Sequence, residues 1–191
     1  MRGIFDTHAH YDDRAFDEDR EEILAQLKEQ GYSGIVDIGA SFESCKKAVE
    51  ISNTHDIVYA TVGIHPDCIE DFFEGENNRN TSGNRVIEEM YNMIKNNKKV
   101  VAVGEIGLDY HNMACEKDLQ EIWFRAQLDM AKELSMPVVI HSREAERDTE
   151  VILREYLGKL PPSIMHCYSY SKESAREFVK MDYYLRMPKS L

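Results

Sequence analysis

The sequence predicts an α/β fold built on a parallel sheet, and two observations carry that prediction. Apolar runs alternate with amphipathic stretches seven times along 191 residues, which is the rhythm of strands joined by right-handed helical crossovers. Polar and ionisable residues gather after the apolar runs and not before them. That edge of a parallel sheet is where ligands bind and chemistry occurs. The pattern suits a sheet that is either open or closed into a barrel.

Each element follows in order. Gly3 to Thr7 reads as the first strand. Phe16 to Gln30 reads as a helix with Ile23, Leu24 and Leu27 on one face, stopped by Gly31. Gly34 to Gly39 is a strand, and Ser41 to Asn53 is a helix opened by a serine cap. Ile57 to Gly63 is a strand. Residues 74–84, rich in Asn and Gly, read as a loop, and Asn84 to Asn96 as a helix. Lys99 to Gly104 is a strand. Glu116 to Ser135 is the longest helix, with Leu119, Ile122, Trp123, Ala126, Met130 and Leu134 at helical spacing. Pro137 to His141 is a strand beginning at a proline, a permitted place for one. Glu144 to Leu157 is a helix, Ser163 to His166 a strand and Lys172 to Met181 a helix. Tyr183 to Arg186 begins a seventh strand. No linker or shift of composition divides the chain, so residues 1–191 read as one domain.

Composition excludes several classes. Asp and Glu total 35 against 23 Lys and Arg, a formal net charge of −12. Such a chain cannot hold duplex nucleic acid by a broad basic surface. A polyanionic substrate would need positive charge supplied locally, and bound metal is the obvious source. No run reaches the roughly 18 apolar residues of a bilayer span, and the N-terminus lacks the apolar stretch of a signal peptide. Cys45, Cys68, Cys115 and Cys167 form no CxxC pair, which fits reduced thiols and a cytoplasmic setting. Motifs for dinucleotides, P-loops and nucleophile elbows are also missing from the sequence.

The candidate site comes from the strand ends. His8 and His10 stand two apart, so in a strand both project to the same side. Alone, the pair reads equally as buried, hydrogen-bonded histidines or as metal ligands. Glu105 in VAVGEIGLDY, His141 closing PVVIH and His166 closing SIMH lie at the same edge. Together they supply nitrogen and oxygen donors for two cations sharing one carboxylate. His65 in GIHPD either contacts an anionic substrate or caps the turn at Pro66. Arg143 either grips a phosphate or pairs with Glu144, Glu146 or Asp148. Asp6 and Asp109 are neighbours that orient ligands or cap turns. His55 and His111 belong to the surface.

FDTHAHYDD, VGIHPD, VAVGEIGLDYH, PVVIHSREAERDT and MHCYSYSKESA, in this order, resemble the TatD family of metal-dependent hydrolases and deoxyribonucleases. The likeness runs from residue 3 to about 181. It implies a (β/α)8 TIM barrel and a dinuclear centre: His8 and His10 on one ion, Glu105 bridging as the catalytic carboxylate, and His141 and His166 on the other. The resemblance further implies Mg²⁺, Zn²⁺ or Mn²⁺ as the ions, and His65 and Arg143 at a substrate phosphate. It implies a DNA phosphodiesterase, a 3′-to-5′ exonuclease on single strands or 3′ ends.

The likeness also has departures. The family's C-terminal ETDxPY-like segment has no counterpart here, so the expectation is an incomplete barrel of about seven strands, short of a full set of βα units. Its open sheet edges would favour self-association. Tyr170 stands where the family commonly has glycine. Two rival functions follow: a deacylase of D-aminoacyl-tRNA or other small ester or amide hydrolase on the same scaffold, and a weakly active or inactive metal-binding barrel.

Overall fold

A computed structural model describes residues 3–69 and 79–188. Seven strands form one sheet: β1 (Ile4–Ala9), β2 (Tyr32–Ile38), β3 (Val58–Val62), β4 (Val100–Asp109), β5 (Val138–Arg143), β6 (Ser163–Met165) and β7 (Tyr183–Leu185). Their spatial order is their chain order, and every neighbouring pair is parallel. A doubly wound sheet would reverse direction at a switch point; an unbroken order is that of a barrel. The sheet curls accordingly. In a flat sheet β1 and β6 would stand about 24 Å apart at the usual strand spacing, whereas the ring of His8 on β1 stacks on that of His166 just after β6 at 3.5 Å between centroids.

Six helices cover the outside: α1 (Arg20–Glu29), α2 (Phe42–Thr54), α3 (Arg79–Asn96), α4 (Lys117–Leu134), α5 (Glu146–Glu155) and α6 (Lys172–Lys180). The α2 cap is reciprocal, since Ser41 Oγ accepts from Ser44 N while Ser44 Oγ accepts from Ser41 N. The main core lies between the sheet and the helices, where Met90, Trp123, Phe124 and Leu128 pack on Val62, Val103 and Ile106. A smaller cluster of Leu24, Ile35, Ile51 and Val58 sits under α1 and α2. Among the described residues no helix is long and apolar enough to cross a membrane.

Two boundaries differ from the sequence reading in ways that matter. Helix α3 begins at Arg79, so residues 79–84 of the expected loop are helical, and residues 74–78 lie outside the described residues. Strand β4 runs through Glu105 to Asp109 and does not stop at Gly104. The glycines of this strand serve close approach to β5. A Cβ on Gly107, at φ +144°, would overlap the carbonyl oxygen of His141 on β5. Glu105 therefore projects from within a strand, at a register shift between Val103 and Ile106.

Candidate metal centre

Glu105 is the hub. Its side chain is 6% exposed, and its backbone N–H donates to Gly39 O at 2.7 Å. Oε2 lies 3.5 Å from His8 Nε2, and Oε1 lies 3.4 Å from His141 Nδ1. Oε1 is buried without a hydrogen bond. Burial pushes the carboxyl up, but the neighbouring imidazoles of His141, His166 and His8 outweigh it and hold the group down, at about 2. Glu105 is thus a carboxylate at neutral pH.

Two groups form around it. Ligand atoms of His8, Glu105 and His166 all lie within 4.8 Å of one another, and so do those of His65, Glu105 and His141. Burial, set against attraction to Glu105, lowers His8 to about 3. Burial and the neighbouring His141 lower His65 to about 4. His166 is lowered chiefly by burial, with Arg186 adding to the effect. These rings are neutral at pH 7, the form that ligates metal. His141 moves the other way: burial opposes its protonation, yet Glu105 and Asp109 push it up. A set of imidazole nitrogens and a carboxylate suits a divalent ion. The buried, unsatisfied Oε1 of Glu105 is the acceptor that such an ion would meet, so the residues fit a cation.

Neighbours fix the rings. Asp109 Oδ2 sits 2.9 Å from His141 Nε2, which puts the proton on Nε2 and leaves Nδ1 facing Glu105. The same aspartate caps its turn by accepting from His111 N and Asn112 N through Oδ1. Asp6 Oδ1 accepts from His8 N at 3.1 Å. His10 Nδ1 lies 3.1 Å from Ile38 O; a carbonyl only accepts, so Nε2 keeps its lone pair.

The sequence candidates divide accordingly. His8, Glu105, His141 and His166 converge. His10 stands beside them, its ring 5.0 Å from that of His8, but belongs to neither three-residue group. His65 caps the Pro66 turn, accepting from Asp67 N at 3.2 Å, and also packs edge-on against His141 at 4.2 Å. Arg143 is exposed at the end of β5, and none of the ion pairs among the described residues involves it. His111 pairs with Glu144 at 2.7 Å and His55 with Glu21 at 3.1 Å. Sequence reasoning missed Arg186, whose Nη1 lies 3.4 Å from His166 Nδ1. No spacing signal marks it, because it meets His166 only through the β6–β7 pairing.

Comparison with known proteins agrees with this architecture. The family model described as TatD related DNase matches residues 5–190. The chain is 38% identical over 186 residues to the uncharacterized metal-dependent hydrolase YabD of Bacillus subtilis, covering 95% of this chain and 67% of that protein. It is 31% identical to the 3′-5′ ssDNA/RNA exonuclease TatD of Pectobacterium parmentieri, covering 89% of this chain and 62% of that one. The crystal structure of YJJV, a TatD homologue from Escherichia coli K12, superposes with a TM-score of 0.75 at 27% identity, over 95% of this chain and 66% of that chain. The chain thus spans roughly two thirds of the length of these relatives. With the family model matching residues 5–190, nearly the whole sequence, the chain belongs to the TatD-related DNase family.

Proposed function

We propose that the protein is a divalent-metal-dependent phosphodiesterase acting on DNA, a 3′-to-5′ exonuclease on single strands or 3′ ends. The observation that carries this reading is the buried Glu105 carboxylate, ionised and with Oε1 unpartnered, between two pairs of imidazoles. His8, His10, Glu105, His141 and His166 would hold two ions, Mg²⁺, Zn²⁺ or Mn²⁺, which supply Lewis acidity toward a phosphoryl oxygen and acidify water. Glu105 holds the centre together by presenting one carboxylate oxygen to each side. Asp109 keeps the His141 proton on Nε2 and so keeps Nδ1 available. His65 and Arg143 face the substrate phosphate, Arg143 with an exposed fork that joins no ion pair among the described residues.

The net charge of −12 supports a local, cation-based grip on the polyanion. Relatives named as 3′-5′ ssDNA/RNA exonucleases support the substrate class. A cytoplasmic setting belongs to the same proposal and is supported by four scattered cysteines that form no CxxC pair. Self-association is supported by apolar side chains exposed on both sheet edges, Ile4 and Phe5 on β1 and Tyr184 on β7.

The test is Glu105→Gln. It should abolish Mn²⁺ loading, measured by elemental analysis, and lower hydrolysis of single-stranded DNA by about a thousandfold or more, as expected for loss of electrostatic catalysis. Cleavage that persists in this variant overturns the reading. A wild-type protein that spares DNA but deacylates D-aminoacyl-tRNA would transfer the chemistry to an ester substrate.

A further inference from the structure

We propose that Gln120 and Gln127 on α4 are positioning residues for the metal centre: their buried amides clamp the backbone past β3 and at the end of β4, and so set where His65 and His141 stand beside Glu105. The proposal rests on the metal-centre reading above and extends it to a helix outside the sheet.

The buried face of α4 carries two glutamines, 0% and 1% exposed, among Trp123, Phe124, Leu128 and Ala131. They stand seven residues apart, which puts both amides on one face of the helix, about 10 Å from each other along its axis. A buried amide without partners is costly, and each of these is bonded to a peptide unit through both its oxygen and its nitrogen. Gln127 Oε1 accepts from Ile64 N at 2.7 Å, and its Nε2 donates to Ile64 O at 3.1 Å. Gln120 Oε1 accepts from Asp109 N at 2.8 Å, and its Nε2 donates to Asp109 O at 3.0 Å and to Cys115 O at 3.1 Å.

Both clamps sit past the end of a ladder. β3 pairs with β4 only as far as Val62 and Val103, so Ile64 and Asp109 lie beyond its last rung. An amide side chain offers a donor and an acceptor, as a peptide of a neighbouring strand would, and α4 supplies two of them. Each clamped residue holds a group of the site. Ile64 is followed by His65, and Asp109 Oδ2 holds His141 Nε2 at 2.9 Å. The rings of His65 and His141 lie 4.2 Å apart, and both meet Glu105. Leucine at 120 or 127 would fill much the same space but leave a buried N–H and carbonyl without their partner.

Gln120→Met and Gln127→Met test this, because methionine keeps the length of the side chain and removes both hydrogen-bonding groups. Gln120→Met should weaken Mn²⁺ binding to the metal-free protein by about tenfold in calorimetric titration. Combined with Asp109→Asn, it should cost less than the product of the two separate losses, because Gln120 acts through Asp109. Gln127→Met should leave Mn²⁺ affinity unchanged and, at saturating Mn²⁺, raise KM for single-stranded DNA by about tenfold, more than it lowers kcat, because it displaces His65. A helix that only stabilises the fold would move both variants alike. Thermal melting checks that each variant folds, and Gln120→Asn or Gln127→Asn, one methylene too short to reach, replaces a methionine variant that does not. Unchanged Mn²⁺ affinity in the Gln120 variant, losses that multiply in full, or an unchanged KM in the Gln127 variant each overturn the proposal while wild type still binds Mn²⁺ and cleaves DNA. Wild type that binds Mn²⁺ but spares DNA removes the DNA reading, and the Gln120 arm then decides the proposal. No Mn²⁺ binding to wild type removes the metal-centre reading itself, and this proposal with it.

Discussion

The two ends of the curled sheet are built from the same strands and solve opposite problems. At the C-terminal end four histidines crowd around Glu105, and a buried carboxylate oxygen is left without a hydrogen bond. Leaving such an acceptor unsatisfied costs on the order of 1–3 kcal/mol or more. At the N-terminal end Phe5, Val36, Tyr59, Ala102, Val138 and Ile164 surround an apolar cavity of about 340 Å³. An open pocket lined this way leaves its apolar side chains short of packing contacts. One end gives up stability in unsatisfied polarity and the other in unfilled volume. The difference teaches that only the first deficit has a chemical use, because a cation can relieve it.

Substitutions can break or sharpen that contrast. The largest effect is expected at the polar end. Asp109→Asn loses the charge that holds the His141 proton on Nε2 and should weaken Mn²⁺ binding by about 10–100-fold. Calorimetric titration checks it, and an unchanged affinity would mean that Asp109 serves only its turn. At the apolar end, Ala102→Val fills part of the cavity and should raise stability by about 0.5–2 kcal/mol in chemical denaturation, leaving Mn²⁺ affinity unchanged.

The smallest effect is a pH slope in the metal-free protein. His8 sits at about 3 in the folded chain against 6.5 for the free side chain. Between those values the unfolded chain binds the extra proton, so His8 contributes stability above pH 6.5 that is lost as the pH falls. Asp37 works in the opposite direction. It is buried beside Asp12 and raised from 3.8 to about 7, so the folded chain binds the extra proton between those values, and stability rises as the pH falls. Comparing wild type with His8→Gln cancels the Asp37 contribution. The melting temperature of wild type should fall relative to the variant by a few degrees between pH 7 and pH 4. Parallel curves would show that burial does not hold His8 neutral.

The parts of this architecture that were legible in the sequence are those carried by local periodicity. The seven apolar runs became the seven strands in order, and His8, His141 and His166 were marked because each ends such a run. Glu105 was identified as a candidate, but its strand was read to end at Gly104 and instead runs to Asp109, with Gly104 and Gly107 in close contact with β5. His65 was read as a substrate contact or a turn cap. It accepts from Asp67 N at the Pro66 turn, and it also lies beside Glu105 and His141, a proximity that only the β3–β4–β5 pairing creates. Arg186 was invisible for the same reason: its meeting with His166 depends on where β7 lies against β6, and no short-range pattern encodes that.

The stacking of His8 on His166 has a consequence for biosynthesis. The two rings stand far apart along the chain, so their encounter requires closure of a very long loop, the slow kind of contact. A nascent chain halted before β6 has its first strands but only part of the grip on an ion. Gain of full chelating capacity would therefore report that the ribosome has delivered the late strands and that the early ones have bent round to meet them.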